Sequence, residues 1–454
     1  KQKFEILKNR VKSYSESGSR KTYFDHIENF YPYIGKEKNA TDLIKKMYIN
    51  ETPPDSVDVQ FMFIPKLSQP DKEIALGCMM TKISDGNGEL QGDPYSLSDE
   101  TVVIRAIIPS STLVNYENDS VIYRIEETHF FEVNLMNSDL TSTKSVAISD
   151  STNFDILPIV TILDSGVDFP QSLYPLVFRQ WKPSGVTNND PGHGTKVASK
   201  VVFRHFQNRD EHSNYVPRAR IIDCAILDGS VPENVLIGRI QEAVNTFADI
   251  SKIYNLSANS NIPIEGDEMS IIGYEIDALQ IKHSVQFVLS AGNHNLWQTE
   301  SDIADVIDDD DSIIASPADS MLGITVGAIC GETHATSISG ENIIAPYSRK
   351  GPGFAGFSKP DISAYGGTIA FDGHKPITPI DKYSLVMDRG GMLVPDAGTS
   401  FTSPVVAGDL AEISKIVPDE DLLISKALLY HNAIVLWDED DIDEEELNLA
   451  HNLY

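Results

Sequence analysis

Cysteine is scarce in this sequence. Only three of its 454 residues are cysteine, and they stand far apart, at Cys78, Cys224 and Cys330. Because no CxxC or Cys/His spacing is present, the sequence predicts neither a disulfide framework nor a zinc site. Unpaired cysteines are typical of a reducing compartment, so we expect a cytoplasmic location.

Long apolar runs and basic residues are lacking as well. No run of 18 apolar residues occurs, so no membrane-spanning helix is predicted. The 36 Lys and Arg residues face 67 Asp and Glu residues, which gives a formal net charge of −31. Nucleic acids and anionic membrane surfaces both select clustered basic residues, and we therefore expect neither as a partner.

The composition divides the chain into zones. Residues 1–136 begin with a basic stretch and continue with β-branched and aromatic runs at 57–65, 101–109 and 121–135. These features predict an N-terminal α+β domain, followed by a Ser- and Thr-rich linker at 137–155. The acidic segment 437–454 is predicted to be solvated, and we expect the natural chain to continue beyond it.

Residues 156–436 alternate between two patterns. Continuous apolar runs predict strands buried on both faces, at 156–164, 221–227, 253–258, 285–291 and 323–329. Helix-period segments lie between them, and in the best of these, 234–254, one stripe carries Val235, Ile240, Val244, Phe247 and Ile250. This alternation predicts an α/β domain with a mostly parallel central sheet.

Polar residues that follow the predicted strands are candidates for a site, because ligands of open α/β sheets bind beyond the carboxyl ends of the strands. Asp164 ends the first run and Asn293 follows the fourth. His193 stands at a predicted helix start, and Ser400 precedes a helical segment.

Together these residues fit acyl transfer. A serine hydroxyl needs a base to take its proton, and a histidine, whose unperturbed pKa lies near neutrality, suits that role. A carboxylate holds the histidine tautomer, while an asparagine amide and a backbone N–H stabilise the oxyanion. The predicted roles thus fall on Ser400, His193, Asp164 and Asn293.

Each of these residues also has a purely structural interpretation. Asp164 could close a turn, and Ser400 and Asn293 could cap helices. His193 is harder to explain in this way, because its flanking glycines contribute nothing to a core. The occurrence of all four in one workable order favours the catalytic interpretation.

The motifs around these residues resemble those of the subtilase family of serine peptidases. The similarity to its aspartate, histidine, oxyanion and serine motifs rests on TILDSGVD, GHGTKVAS, SAGN and GTSFTSPVVAG. It covers about 156–433 and extends to NLSANS, SPADSMLGITVGAI, YSRKGPG and KPDISAYGG. The resemblance implies a subtilisin-like three-layer fold, of the intracellular bacterial type with an N-terminal extension, and serine endopeptidase activity.

Carried over residue by residue, the resemblance implies that His193 is the general base and acid, that Asp164 orients it, and that Ser400 is the nucleophile. Asn293 and the Ser400 backbone N–H would hold the oxyanion. Two segments would line the substrate: Ser257, Ala258 and Asn259, and opposite them Ser290, Ala291 and Gly292. The family usually has glycine where Asn259 stands, so we expect the first specificity pocket to be narrower or more polar than usual.

The function of the N-terminal zone is open at this stage. It could be an inhibitory or chaperone prosegment, a permanent regulatory module or a docking platform, and we favour the regulatory or docking interpretation. A polypeptide is the expected substrate, and a regulatory protein, such as an ATPase, is a further expected partner. The alternative function is a catalytically silenced or autoinhibited subtilase fold that binds peptides, which the complete set of four residues disfavours.

No cofactor is expected to be required. Calcium often stabilises the family, and the run DVIDDDDS at 305–312 is acidic enough to attract it. Calcium, however, needs six to eight oxygen ligands from mixed sources, which a bare acidic run does not specify. A solvated loop is the favoured interpretation, and no metal site is assigned.

Overall fold

The structure of the protein is a computed structural model. It describes residues 33–49, 52–133, 144–187, 189–206, 214–300, 302–372, 375–377 and 384–434. The basic stretch at the start, part of the predicted linker and the acidic segment 437–454 lie outside the described residues.

The N-terminal unit combines an antiparallel sheet with helices. Its strands are β1 (Ser56–Phe63), β2 (Glu89–Leu90), β3 (Tyr95–Ser96), β4 (Val102–Pro109) and β5 (Ile122–Glu127). Its helices are α1 (Thr41–Ile44), α2 (Gln69–Asp85) and α3 (Leu113–Glu117). The strands lie in the order β2-β4-β1-β5, with β3 also paired to β4, so the main strands and helices form a split β-α-β arrangement.

The two faces of the N-terminal sheet have different neighbours. Val59, Phe61 and Phe63 of β1 belong to the unit's own apolar core. Met62, which alternates with them, belongs instead to a core cluster that includes many residues from beyond position 220. Because side chains of a strand alternate between its faces, one face closes the N-terminal core and the other packs on the rest of the chain.

The second unit is built around a parallel sheet. The strands that follow β5 are β6 (Phe130–Phe131), β7 (Ala147–Ile148), β8 (Ile159–Asp164), β9 (Val177–Trp181), β10 (Asn214–Tyr215), β11 (Arg220–Ala225), β12 (Val231–Pro232), β13 (Ile253–Leu256), β14 (Gln286–Ser290), β15 (Ile324–Ile329) and β16 (Ile362–Tyr365). Seven strands in the described residues form one sheet in the order β16-β15-β14-β13-β8-β11-β9. All neighbours in it are parallel, which confirms the predicted α/β fold.

Helices cover both faces of this sheet. They are α4 (Gly192–Phe203), α5 (Glu233–Phe247), α6 (Ile271–His283), α7 (Ile303–Asp308), α8 (Ser403–Ile416) and α9 (Leu422–His431). Val160 and Ile162 of β8 pack in a cluster with residues of α4 and α8. Leu163, on the other face of β8, packs with residues of α5 and α6. The result is three layers, with the N-terminal unit added outside α5 and α6.

Short strand pairs decorate the second unit. β7 lies within the predicted linker and pairs with β10, and β6 pairs with β12. The long segment before Ser400 contains two antiparallel hairpins, formed by β17 (Ala370–Asp372) with β18 (Lys375–Ile377) and by β19 (Ser384–Met387) with β20 (Leu393–Asp396). The predicted domain boundaries at 136 and 155 stay predictions.

Three predicted elements differ in detail from the structure. The run 121–135 divides into β5 and β6, which pair with different units. The helix expected at 234–254 ends at Phe247, because the chain must turn to deliver β13 between β8 and β14. Val235 and Ile250, placed on its buried stripe, are 37% and 40% exposed. The apolar segment 422–437 also predicts a packed helix, and in the structure that helix begins at Leu422 and ends at His431.

Candidate active site

Asp164 and His193 form a buried hydrogen-bonded pair. Asp164 is the last residue of β8, and His193 lies in the first turn of α4. Nδ1 of His193 lies 2.9 Å from Oδ1 and 3.1 Å from Oδ2 of Asp164. Because a carboxylate only accepts, this contact assigns the ring proton to Nδ1 and leaves Nε2 as the acceptor of another proton.

Glycine at position 194 allows this pair to form. A Cβ atom there would lie 2.3 Å from the carbonyl oxygen of Gly166 and 3.1 Å from Oδ1 of Asp164. The contact with the Gly166 backbone is too short for any side chain, so only glycine lets α4 approach the loop that follows β8. The Gly-His-Gly-Thr stretch is therefore explained by close backbone approach beside His193.

Ser400 lies in a 3₁₀ turn, Thr399–Phe401, which leads into α8. Its hydroxyl donates a long hydrogen bond of 3.4 Å to the carbonyl oxygen of Ser257 and makes no side-chain cap to the helix. Among the described residues, Nε2 of His193 has no hydrogen-bond partner. Phe401, the residue after Ser400, lies beside the His193 ring, with the two ring centroids 5.8 Å apart. The serine and histidine are therefore close in the fold, but no hydrogen bond joins their side chains.

Asn293 is held in place through its side-chain oxygen. Oδ1 of Asn293 accepts hydrogen bonds from the backbone N–H of Thr399 at 3.0 Å and from its hydroxyl at 3.1 Å. Thr399 directly precedes Ser400 in the chain. The hydrogen bonds from Thr399 therefore fix the position of Asn293 relative to Ser400. With the oxygen engaged, the N–H groups of the carboxamide remain as donors for another acceptor.

The two predicted substrate-lining segments also meet here. Ser257, Ala258 and Asn259 follow β13, and Ala291 and Gly292 follow Ser290 at the end of β14. The hydroxyl of Ser257 lies 3.1 Å from that of Ser403, and the N–H of Gly292 donates to the hydroxyl of Thr399 at 3.2 Å. The structure thus brings all ten predicted site residues to one edge of the parallel sheet.

Residues 130–132 lie in an extended conformation along this edge. Phe131 and Phe130 of β6 pair antiparallel with Val231 and Pro232 of β12, and Glu132 forms a β-bridge with Asn259. In the full chain His193 is 1% exposed and Ser400 is 3% exposed.

Val231 and Pro232 were not among the predicted site residues. Their position just after β11 could have indicated them, because the site lies at the carboxyl ends of the strands.

A buried charged cluster joins the N-terminal unit to the second unit, and its residues were also missed. Arg124 and Glu126 of β5 form an ion pair at 3.0 Å. Glu233, at the start of α5, accepts hydrogen bonds from Gln60 at 2.6 Å and from the N–H of Ile272 at 3.0 Å. These side chains lie far apart in the sequence, and no local pattern indicates that they meet.

Burial shifts the proton affinities of this cluster. Burial raises the pKa of Glu126 to about 8, although the Arg124 charge opposes the shift. Burial raises the pKa of Glu233 as well. For His129, burial alone would lower the pKa, but the hydrogen bond with Asp42 and the nearby carboxylates raise it to about 9. In the folded chain, Glu126, Glu233 and His129 therefore keep their protons to a higher pH than the same groups in water.

The acidic run 305–312 folds into α7 and a short 3₁₀ turn, Asp310–Ser312. Across the described part of the chain, no group of three or more His, Cys, Asp or Glu side chains is arranged to hold a metal ion. No helix within that part is long and apolar enough to cross a membrane. Calcium binding and a cytoplasmic location stay predictions.

Comparisons with known proteins agree with this fold. The structure of the epidermin leader peptide processing serine protease EpiP from Staphylococcus aureus matches with a TM-score of 0.50 at 16% identity, covering 85% of this chain and 94% of that chain. Serine protease AprX of Bacillus subtilis (strain 168) is 28% identical over 239 residues, which are 51% of this chain and 50% of AprX.

A second curated relative, uncharacterized protein y4bN of Sinorhizobium fredii (strain NBRC 101917 / NGR234), is 26% identical over 198 residues, 38% of this chain and 45% of that protein. The chain spans about half the length, or less, of these curated relatives. The sequence model of the subtilase family matches residues 157–450, well over half of the chain. The chain belongs to the subtilase family.

Proposed function

We propose that the protein is a serine endopeptidase that cleaves peptide bonds through Ser400. The hydroxyl oxygen of Ser400 attacks the scissile carbonyl, and its proton passes to Nε2 of His193. Asp164 stabilises the resulting imidazolium through Nδ1. The proton then passes to the leaving amine, and water hydrolyses the acyl-enzyme by the same route in reverse.

Asn293 and the backbone N–H of Ser400 are the proposed oxyanion donors. Their value for catalysis is that both are fixed before the reaction begins, so no dipole must reorient as charge develops on the carbonyl oxygen. Thr399 supports this preorganisation, because it holds the oxygen of the Asn293 carboxamide while it orients the turn that carries Ser400. Proton transfer also requires that the Ser400 hydroxyl leave the Ser257 carbonyl and turn toward His193.

The observation that carries the proposal is the hydrogen-bonded Asp164–His193 pair, whose imidazole lies beside the turn that carries Ser400. A buried imidazole whose Nδ1 is held by a carboxylate and whose Nε2 has no partner is arranged to accept a proton at Nε2. The alternative, a silenced subtilase fold that binds peptides, gives no reason to retain this pair together with Asn293.

A fluorophosphonate probe tests the mechanism, because it reacts with an activated serine. We expect the wild-type chain to be labelled at Ser400 and to cleave an unstructured polypeptide. Ser400→Ala should abolish labelling and lower cleavage by a factor on the order of 10⁶. Ser414→Ala is the matched control. Ser414 is a buried serine of α8 whose hydroxyl donates to the Ala411 carbonyl, and its replacement should leave both labelling and cleavage unchanged. Cleavage that persists in Ser400→Ala would refute the mechanism.

We further propose that the N-terminal unit inhibits this site by occupying it. Residues 130–132 pair with both edges of the cleft in the antiparallel, extended manner in which a peptide adds to an exposed strand. Asn261 also donates a hydrogen bond of 3.2 Å to the side chain of Glu132. A polypeptide substrate must displace this segment before it reaches Ser400. A regulatory partner such as an ATPase stays an expectation.

Two neighbouring phenylalanines test the inhibition. Phe131 is fully buried in the shared core, whereas Phe130 is 45% exposed beside Arg105. Removing a buried phenylalanine costs about 3–5 kcal/mol, part of which weakens docking. We expect Phe131→Ala to accelerate fluorophosphonate labelling about tenfold or more and Phe130→Ala to leave it near the wild-type rate. Equal rates in both variants, with melting temperatures that show folded protein, would contradict the proposal.

A further inference from the structure

A gap between two backbone segments lies beside Ser400. β13 and β14 are neighbours in the sheet, and the segments that leave them, 257–259 and 290–292, flank this gap. Ser400 contacts the first segment through the Ser257 carbonyl, and Asn293 continues the second. A carbonyl held between Ser400 and Asn293 therefore places the side chain of its own residue, the acyl-side residue of the scissile bond, at the gap.

The side chain of Asn259 bridges the two segments. Its Nδ2 atom donates to the carbonyl oxygen of Ser290 at 2.8 Å and, more weakly, to that of Ala315 at 3.4 Å. Its Oδ1 atom accepts a hydrogen bond of 2.6 Å from the hydroxyl of Ser290. Asn259 is 6% exposed and Ser290 is fully buried, so these bonds are sheltered from competing water.

The far side of the gap is filled as well. A Cβ atom added to Gly292 would lie 2.8 Å from Cδ of Arg349 and 3.4 Å from Cγ of Asn259, so both side chains pack closely against this glycine. Arg349 cannot swing away easily, because its guanidinium donates to the carbonyl oxygens of Asn293 at 3.1 Å, Asp311 at 2.8 Å and Ile313 at 2.7 Å. The remaining wall residue, Ala315, is fully buried and small.

A large acyl-side residue could enter only by displacing Asn259. That movement would leave the carbonyl and hydroxyl of Ser290 without their partner in a buried place, which is costlier than losing an exposed hydrogen bond. A glycine, alanine or serine at the same position requires no such displacement. The backbone of Asn259 remains usable by a peptide, as its bridge to Glu132 shows.

We propose that Asn259 is a specificity-determining residue that closes the gap and restricts cleavage to bonds whose acyl-side residue is glycine, alanine or serine. The proposal rests on the proposed peptidase function. It also predicts that glycine at position 259 would remove the bridge to Ser290 and enlarge the gap beside Ala258, Ala291 and Ala315, so that leucine or phenylalanine is accepted.

Fluorogenic tetrapeptides that differ only in an acyl-side Ala, Ser, Leu or Phe test the proposal on the full-length chain. The ratio of kcat/KM values within one preparation does not depend on what fraction of the clefts is open. We expect the wild type to prefer Ala over Phe by about tenfold or more. Asn259→Gly should abolish or reverse this preference. Asn261→Gly is the matched control: its exposed side chain contacts Glu132 rather than the gap, and the wild-type preference should persist.

The outcomes separate cleanly. A wild type that cleaves the Phe peptide as well as the Ala peptide overturns the proposal, as does an equal change of preference in Asn261→Gly. If Asn259→Gly fails to fold, the wild-type ratio and Asn259→Ala, which also removes the bridge, decide it. If neither the peptides nor the fluorophosphonate probe reacts with the wild type or with Phe131→Ala, in which the N-terminal unit is loosened, the peptidase function itself is refuted, and the proposal with it. If only Phe131→Ala reacts, the peptide ratios are measured in that variant.

Discussion

Two buried regions of the molecule contain different chemistry. One is the proposed catalytic edge, the edge of the parallel sheet with Asp164, His193, Asn293 and Ser400, and the other is the interface with the N-terminal unit. At the catalytic edge, Asp164 pairs with His193, and Ser400, Thr399 and the side chain of Asn293 supply neutral donors and acceptors. At the interface, four ionisable side chains lie together, and the pKa of each is raised above its ordinary value: Arg124, Glu126, His129 and Glu233.

This difference indicates two ways to hold polar groups away from water. Neutral hydrogen bonds keep one geometry over a wide pH range, which suits a site where atoms must be placed before a reaction. Buried ionisable groups are stable only with the right number of protons, so an interface made from them depends on pH. Under the proposed inhibition, the active-site geometry would therefore change little with pH, whereas docking of the N-terminal unit would depend on it.

The largest effect is expected at the catalytic edge. Asp164→Asn should lower kcat by a factor on the order of 10⁴ with little change in KM, because asparagine can stabilise the wrong tautomer of His193 and cannot stabilise its cation. Peptide hydrolysis over a range of pH values measures this, and the acidic limb of the pH profile should change with it.

Asp223→Asn is the matched control for Asp164→Asn. Asp223 lies in β11, the strand next to β8, and burial raises its pKa to about 7, but it bonds to Gln180 rather than to His193. We expect this variant to keep the wild-type kcat. An equal loss in both variants would mean that Asp164 acts through general packing of the sheet.

A smaller effect is expected at the interface, and it depends on pH. Both Glu126 and His129 have a pKa above the ordinary value when the units are docked. The interface buries the Glu126 carboxyl, so docking takes up a proton there: docking is strongest below the ordinary pKa of a glutamate and weakens as the pH rises through about 8. The raised pKa of His129 depends first on Asp42, which belongs to the N-terminal unit itself. The cleft should open more readily in alkaline solution.

Glu126→Gln isolates this effect, because glutamine stays neutral at every pH. We expect the ratio of wild-type to Glu126→Gln fluorophosphonate labelling rates to rise between pH 6 and 9, by at most about tenfold per pH unit. Glu127→Gln, whose glutamate pairs with Lys46 inside the N-terminal unit, should track the wild type. A ratio that stays flat with pH would remove Glu126 from the release of the N-terminal unit.

Much of the catalytic edge was predictable because local patterns carry it. The apolar run that becomes β8 ends at Asp164, and the run that becomes β14 leads to Asn293. The carboxyl ends of parallel strands share one edge of a sheet, so the sequence placed these residues together before any contact was known. Helix lengths were less predictable. Ile250 fits the stripe but lies beyond the helix end at Phe247, because the chain must turn there to enter β13, and it is partly exposed. Val235, in the first turn of the helix, is partly exposed as well.

The contacts that decide access were not predictable. Asn259 was recognised as unusual, but its bridge to Ser290 depends on the distance between two strand ends, 31 residues apart in sequence. Gln60 and Glu233, which meet at the interface, are 173 residues apart. The periodicity of apolar residues indicates which face of a helix or strand is buried. It does not indicate which distant part of the chain packs against that face.

The sequence by itself thus determined the α/β fold, the order of Asp164, His193, Asn293 and Ser400, and the chemistry these side chains support. Only the tertiary structure decided that residues 130–132 pair along the site, that the Asn259 side chain bonds to Ser290, and that Arg124, Glu126 and Glu233 meet between the two units. The physical reason is that strands and helices form from neighbouring residues, whereas access to the site depends on packing between surfaces that meet only in the folded chain.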